Sequence, residues 1–340
     1  LSEQARELWR SLGERGVLRA LFAEGPSREQ LGGLLAELDR EHPVGVVLSA
    51  CVQLATILPI LRGETGAAAK VYESALSGAA VLALAATDAA AAGSDLTSLG
   101  TKAELAEDHL VLTGAKRWIT NACTADHVLV LARHRPADHF TSFLWVLVPV
   151  TAPGVRVEPA SGGLFAGSGV GHLEFDQVRL DREHVVGGVG RGMVSFGRHV
   201  TTERLAGGLW AAAMCRRVLA DTLKSLCERQ LGGRPMWTNE AIRHRFARCL
   251  VETRRIEAMC AQVEQWSLLG SMVLKVSVAE SLDLVLTECA QLAGAEAFAE
   301  GGLAQLRAEI GMFGIAGGAS GAMLAGIAEH AHDLLGLRAG

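Results

Sequence analysis

Trp118-Ile119-Thr120-Asn121 closes a strand-like stretch and enters a turn. An indole at that place either caps a sheet's core or stacks on a planar ring, with the Thr120 hydroxyl offering a hydrogen bond at the ring's edge. Upstream, Gly93-Ser94-Asp95 supplies a turn whose amides and Ser94 hydroxyl could meet a phosphate, although small polar residues suit any turn. Glu203, in Thr201-Thr202-Glu203-Arg204, reads on its own as a solvated helix carboxylate, the usual state of Glu. EHAHD (329–333) invites a metal reading. Glu329, His330, His332 and Asp333 are packed too closely on one helix to face one ion, so a solvated helix end and no metal are expected. GGVGRGM (187–193) has neither the spacing nor the βαβ setting of a dinucleotide loop and reads as a connection.

Two further stretches raise questions. Arg243, Arg245, Arg248, Arg254 and Arg255 make one helix face basic, partly offset by Glu252 and Glu257. Such a face is solvated by default; its functional use would be docking of an acidic carrier protein or a phosphate-bearing ligand. GMFGIAGGASGAML (311–324) carries no charge and five glycines, in a chain that is 20% charged.

The elements that must hold these residues follow from periodicity. Apolar residues recur at helical spacing in 2–14, 28–39, 43–61 and 64–84, with breaks at Pro26-Ser27 and His42-Pro43. From 101 to 185 they come in short alternating bursts separated by turn residues, which predicts an antiparallel β domain. Helix returns over 191–229, 238–266, 271–292 and 318–336, with Thr238 or Asn239 as an N-cap, and suggests an antiparallel bundle. The expected class is α+β, mostly α, with a helical domain over 1–86, a β domain over 87–188 and a helical bundle over 189–340.

Totals bound the function. The 340 residues exceed one simple core, and 49% are hydrophobic, as in a folded globular protein. Net charge is −5, against broad nucleic-acid binding. Arg outnumbers Lys 27 to 5, which reads as the codon bias of a GC-rich genome. Apolar runs are broken before 18 residues, so no membrane span is expected. The first residues are amphipathic and mixed in charge, unlike a signal or transit peptide. Seven cysteines without a CxxC fit a cytoplasmic protein with free thiols.

Taken together, TDAAAAGSD (87–95) and GAKRWITNACTAD (114–126) resemble the TEPxAGSD and GxKxWITNxxxAD patterns of the acyl-CoA dehydrogenase family. The resemblance continues through GRGMVSFGRHVTTERLAGG (190–208), ERQLGG (228–233) and QLAGA (291–295), in the family's order. It implies that family's fold: N-terminal helices, a central β domain and a C-terminal four-helix bundle. It implies FAD. Leu84, Ala86 and Thr87 would lie along the flavin's pyrimidine side, Ser94 at the pyrophosphate, and Trp118, Ile119 and Thr120 on the isoalloxazine. Arg229, Gln291 and Gly294 would reach the FAD of a neighbouring subunit, which implies a homodimer or homotetramer. The chain departs from the patterns by one extra Ala before Gly93, and by Ala89, Gly232 and Ala295 in place of Pro, Phe and Gly.

The uncharged C-terminal stretch is similar to the family's IYEGTSE segment, where many members carry their catalytic glutamate. Here that position is Gly317, preceded by Ala316. A second branch, like isovaleryl- and long-chain acyl-CoA dehydrogenases, places the base on the long bundle helix just before an Arg, which is Glu203 here. The resemblance thus implies that Glu203 takes a proton while a hydride leaves for flavin N5. It extends to the acyl-carrier-protein branch that prepares hydroxymalonyl or methoxymalonyl extender units (the FkbI type). There Glu203 could instead deprotonate a hydrated aldehyde whose C–H hydride leaves. The implied partners are an acyl thioester on carrier protein or CoA and an electron acceptor, with no nucleic acid and no membrane. Two alternatives stand beside it: a conventional acyl-CoA dehydrogenase forming 2-enoyl-CoA, and a non-catalytic scaffold or binding protein that has kept the fold.

Overall fold

The computed structural model describes residues 2–88, 98–137, 139–262 and 268–337. Helices come first: α1 (Ser2–Glu14), α2 (Val17–Phe22), α3 (Arg28–Glu41), α4 (Val44–Val52), a π-helical turn (Gln53–Ile57), α5 (Leu58–Leu61) and α6 (Gly66–Leu76). Strands follow: β1 (Leu82–Ala85), β2 (Lys102–Leu105), β3 (His109–Ile119), β4 (His127–Arg133), β5 (Phe143–Pro149), β6 (Val155–Pro159), β7 (Gly171–Asp181) and β8 (Val185–Val186). Then come α7 (Gly192–Glu228), a small hairpin of β9 (Gln230–Leu231) and β10 (Arg234–Pro235), α8 (Glu240–Ala261), α9 (Leu268–Ala293), α10 (Leu303–Ile310), α11 (Ser320–Glu329) and α12 (Ala331–Leu334). The class is α+β and mostly helical.

Chain contacts define two compact units: Leu1–Gln30 with Pro43–Glu203, and Leu31–His42 with Arg204–Gly340. The first holds the sheet, in the order β6-β7-β3-β2-β4-β5-β8, with β1 beside β4. Strands β4 and β5 are buried on both faces along almost their whole length, while β7 alternates buried and exposed positions. Val128, Val130, Leu144, Val146, Phe175 and Val178 lie at the centre of the sheet's core.

One expectation is corrected in this unit. Helical periodicity ran on to residue 84, but α6 stops at Leu76 and Leu82–Ala85 is a strand, parallel to β4. The stop is Gly78, at φ 79°, where an added Cβ would lie 2.7 Å from the Arg10 carbonyl oxygen. Only glycine takes that conformation against a backbone so close. The stretch 44–61 is long and apolar enough to cross a membrane by length and composition. It has a mean hydropathy of 2.2 over 18 residues, and 83% of it is buried inside the fold. Its apolar length serves a core, with Trp9 of α1 packed nearby in the same unit and donating to the Ala75 carbonyl at 3.1 Å.

In the second unit, Asp39 of α3 is buried and accepts hydrogen bonds from Trp210 Nε1 (2.9 Å) and Arg217 Nε (2.7 Å) of α7. Asn239 caps α8, accepting from the Ala241 and Ile242 amides. The helix expected over 318–336 is divided at His330 into α11 and α12.

Candidate functional site

In the first unit the candidate site begins where β3 ends. The register of β3 on β7 shifts between Lys116 and Ile119, inserting one extra residue on β3. The bulge throws Trp118 outward. Its φ is 58° and its indole is 65% exposed, edge-on to the His172 ring at 5.2 Å. A non-glycine residue with positive φ costs about 1–3 kcal/mol. The exposed indole also forgoes part of the ~1.5–3 kcal/mol that burying a large apolar side chain contributes. Both costs are met to present a flat apolar surface. Ile119 beneath is buried, and Thr120 is half-buried. Asn121, at φ 69°, turns the chain, and its amide donates to the Ser49 (3.1 Å) and Leu82 (2.9 Å) carbonyls.

That last bond ties the turn to β1. Ala83 and Ala85 are fully buried, while Leu84, Ala86 and Thr87 are half-buried. Lys116 fixes the strand's exit: fully buried, it meets Asp88 Oδ1 at 2.5 Å and donates to the Ala86 carbonyl at 3.0 Å. Asp88 also accepts from the Gly100 amide and from the Thr101 amide and hydroxyl. Burial pulls the Lys116 ammonium down to about 8, against the opposing pull of Asp88. Leu84, Ala86, Thr87, Trp118, Ile119 and Thr120 are thus carried by two segments bonded to each other. Ser94 lies outside the described residues.

Glu203 of α7 is half-buried and not solvated as an isolated reading had it. Thr56 Oγ1, in the π-helical turn, donates to its Oε2 at 3.3 Å. Cys51 in α4 is buried, and its thiol is pushed up to about 12 by burial and then by the negative charge of Glu203. Glu203 therefore stands beside a hydroxyl and a neutral thiol. Thr56 was missed from the sequence; its signal was Pro59, which disturbs the helix around it.

In the second unit residues 317 and 318 form a glycine turn. Gly317 and Gly318 have φ of 68° and 105°, and a Cβ on Gly318 would lie 2.6 Å from Met323 Cε. Arg204, buried, donates to the Gly317 carbonyl (3.2 and 3.1 Å) and to Ser271 Oγ (2.8 Å). Lys275, 6% exposed, reaches Ser320 Oγ at 3.4 Å. Burial and then the Arg204 charge bring it down to about 8.

Arg229 and Gly294 come together at the end of α9. The guanidinium donates to the Leu292 and Ala293 carbonyls at 3.1 and 3.0 Å, capping the helix, and Gly294 has φ 66°. Gln291 is exposed and accepts from Arg245. On α8, Arg245, Arg254 and Arg255 pair with Glu288, Glu257 and Glu252. The EHAHD side chains are exposed, and no group able to hold a metal occurs among the described residues.

The described residues thus include an exposed indole on a bulge, a half-buried threonine two residues further on and a half-buried carboxylate. The chain itself is similar to known proteins. A family model described as "Acyl-CoA dehydrogenase, middle domain" matches residues 83–178, and one described as "Acyl-CoA dehydrogenase, C-terminal domain" matches 190–332. An acyl-[acyl-carrier-protein] dehydrogenase, MbtN, of Mycobacterium sp. (strain MCS) is 24% identical over 306 residues, 86% of this chain and 77% of its own. The FAD complex of PigA is similar in structure, with TM-score 0.88 and 21% identity over 98% of this chain and 90% of that one. FkbI, for biosynthesis of a methoxymalonyl extender unit, gives TM-score 0.87 and 22% identity over 98% and 93%. The two structural likenesses establish the fold.

Proposed function

The chain belongs to the acyl-CoA dehydrogenase family, and on that footing we propose that it is an FAD-dependent dehydrogenase of acyl thioesters in which Glu203 removes the proton. The observation that carries this reading is Glu203 itself, half-buried on α7 with Thr56 as a hydrogen-bond donor and a neutral Cys51 beside it. A carboxylate removed from bulk water is a stronger base toward a weak carbon acid. Gly317, where many relatives keep their acid, cannot do this.

The residues present fit the flavin. An exposed indole on a strained bulge suits a ring's face, the half-buried Thr120 hydroxyl suits its edge, and Leu84, Ala86 and Thr87 suit its flank. Ser94 would meet the pyrophosphate. Arg229, Gln291 and Gly294 would serve the FAD of a neighbouring subunit in a homodimer or homotetramer. When bound, FAD supplies the acceptor for the hydride leaving the carbon next to the deprotonated one. The protein's own work is to hold the acyl group, exclude water and take the proton on Glu203.

The substrate is proposed to be an acyl group on a carrier protein, at the hydroxyacyl or semialdehyde level, in assembly of a polyketide extender unit. The MbtN relative, whose name specifies a carrier-protein substrate, supports this. The test is anaerobic bleaching of the purified flavoprotein by butyryl-CoA, isovaleryl-CoA and a carrier-loaded 3-hydroxypropionyl thioester. Bleaching by the carrier-bound probe alone is expected. Bleaching by the CoA esters makes the chain a conventional acyl-CoA dehydrogenase, and a protein unable to take up FAD makes it a scaffold. Glu203→Gln should lower the bleaching rate by about 10²–10⁴ and leave flavin content unchanged.

A further inference from the structure

A carboxylate that takes a proton from carbon must hold a fixed direction, and rotation about its side-chain bonds works against that. Two neighbours of Glu203 within its own unit, Cys51 and Thr56, come from Val44–Leu61. Pro59 lies inside that helical stretch. In a regular α-helix its ring would clash with the Ala55 carbonyl and leave that oxygen without an N–H donor. The chain widens instead into a π-helical turn over Gln53–Ile57, where the Leu58 amide donates to the Gln53 carbonyl, five residues back.

The widened turn carries two buried polar side chains, Gln53 (0% exposed) and Thr56 (1%). Gln53 Oε1 accepts from the Leu82 amide at 2.9 Å, at the start of the strand that bears Leu84. Thr56 Oγ1 donates to Glu203 Oε2 at 3.3 Å. One irregular turn therefore addresses both the strand of the proposed ring flank and the proposed base. A hydroxyl buried this deeply needs a partner, since leaving it unmade would cost about 1–3 kcal/mol.

We propose that Thr56, seated by the π-helical turn that Pro59 imposes, is the positioning residue for the Glu203 carboxylate. The proposal rests on the reading of Glu203 as the base. Among the described residues, the neutral Cys51 thiol of α4 faces Glu203, and Arg204 follows it along α7.

The test uses the full-length flavoprotein labelled with [δ-13C]glutamate, the Glu203 carboxyl signal being assigned by its loss in Glu203→Gln. A donated hydrogen bond favours the ionised form of a carboxylate, so Thr56→Val should raise the titration midpoint of that signal by about 0.5–1 pH unit. Thr56→Ser keeps the hydroxyl and should restore the wild-type midpoint. A general loss of packing would affect Ser and Val alike and would show as a lowered melting temperature. An unchanged midpoint in a folded Thr56→Val protein overturns the proposal. Glu203→Gln protein that the carrier-loaded probe bleaches as fast as wild type overturns the base reading itself, whatever Thr56 does.

Discussion

Two buried lysines, one in each compact unit, are brought to about the same value, near 8, by different means. Lys116 in β3 is fully buried against Asp88, which also gathers the Gly100 amide and the Thr101 amide and hydroxyl. Burial pulls its pKa down and the carboxylate pulls it back up. Lys275 in α9 is 6% exposed, meets the Ser320 hydroxyl at 3.4 Å, and has Arg204 as its named charged neighbour. There burial and like charge act in the same direction. The first lysine closes a network that fixes the exit of β1. The second adds positive charge beside the Ser320 hydroxyl. The same titration point therefore marks a clamp in one unit and a charge set beside a like charge in the other.

Removing each lysine should separate the two cases. Lys116→Met leaves Asp88 buried without its cation, and loss of one partner of a buried pair costs about 3–5 kcal/mol. Denaturant melts of the purified protein should show that loss, and an unchanged midpoint would mean the Thr101 and Gly100 donors suffice for Asp88.

The alkaline limb gives the next effect. Both lysines titrate near 8 in the folded chain, against an ordinary value of 10.5. Between those values the unfolded chain holds protons that the folded chain has released, so stability rises with pH across that window. Melting midpoints measured from pH 7 to about 9, below the range where the buried Cys51 and Cys215 thiols oppose the effect, should climb, and a Lys275→Met protein should climb less.

Smallest is the effect of Lys275→Met on stability near neutral pH. With a hydroxyl and another cation as its named neighbours, exchange for an apolar chain of similar length should leave the protein at least as stable, with a gain of the order of 1 kcal/mol. A marked loss would show that Lys275 has a compensating partner and is a clamp like Lys116.

The β region was readable because its chemistry is local. Alternation over 109–119 and 171–181 reports a sheet with one solvated face, and WITN stands at the bulge where such a strand must turn. Strand β1 was hidden because LALA looks the same in a helix as in a strand; the deciding residue was Gly78, whose backbone meets Arg10 far away in sequence. Glu203 could not be judged from its surroundings in sequence, since the hydroxyl and thiol beside it come from the π-helical turn and α4. A family pattern picked it out, where residue chemistry alone gave an ordinary surface acid. Thr56 had no such pattern. Its hint was a proline within an apolar run, which periodicity averages away.

The ring of Pro59 is covalent, so the widening it forces on Val44–Leu61 needs no ligand to create or maintain it. On the proposed reading of Glu203 and Thr56, alignment of the acid is settled when the polypeptide folds, and the associated loss of rotational freedom is not incurred again at every turnover.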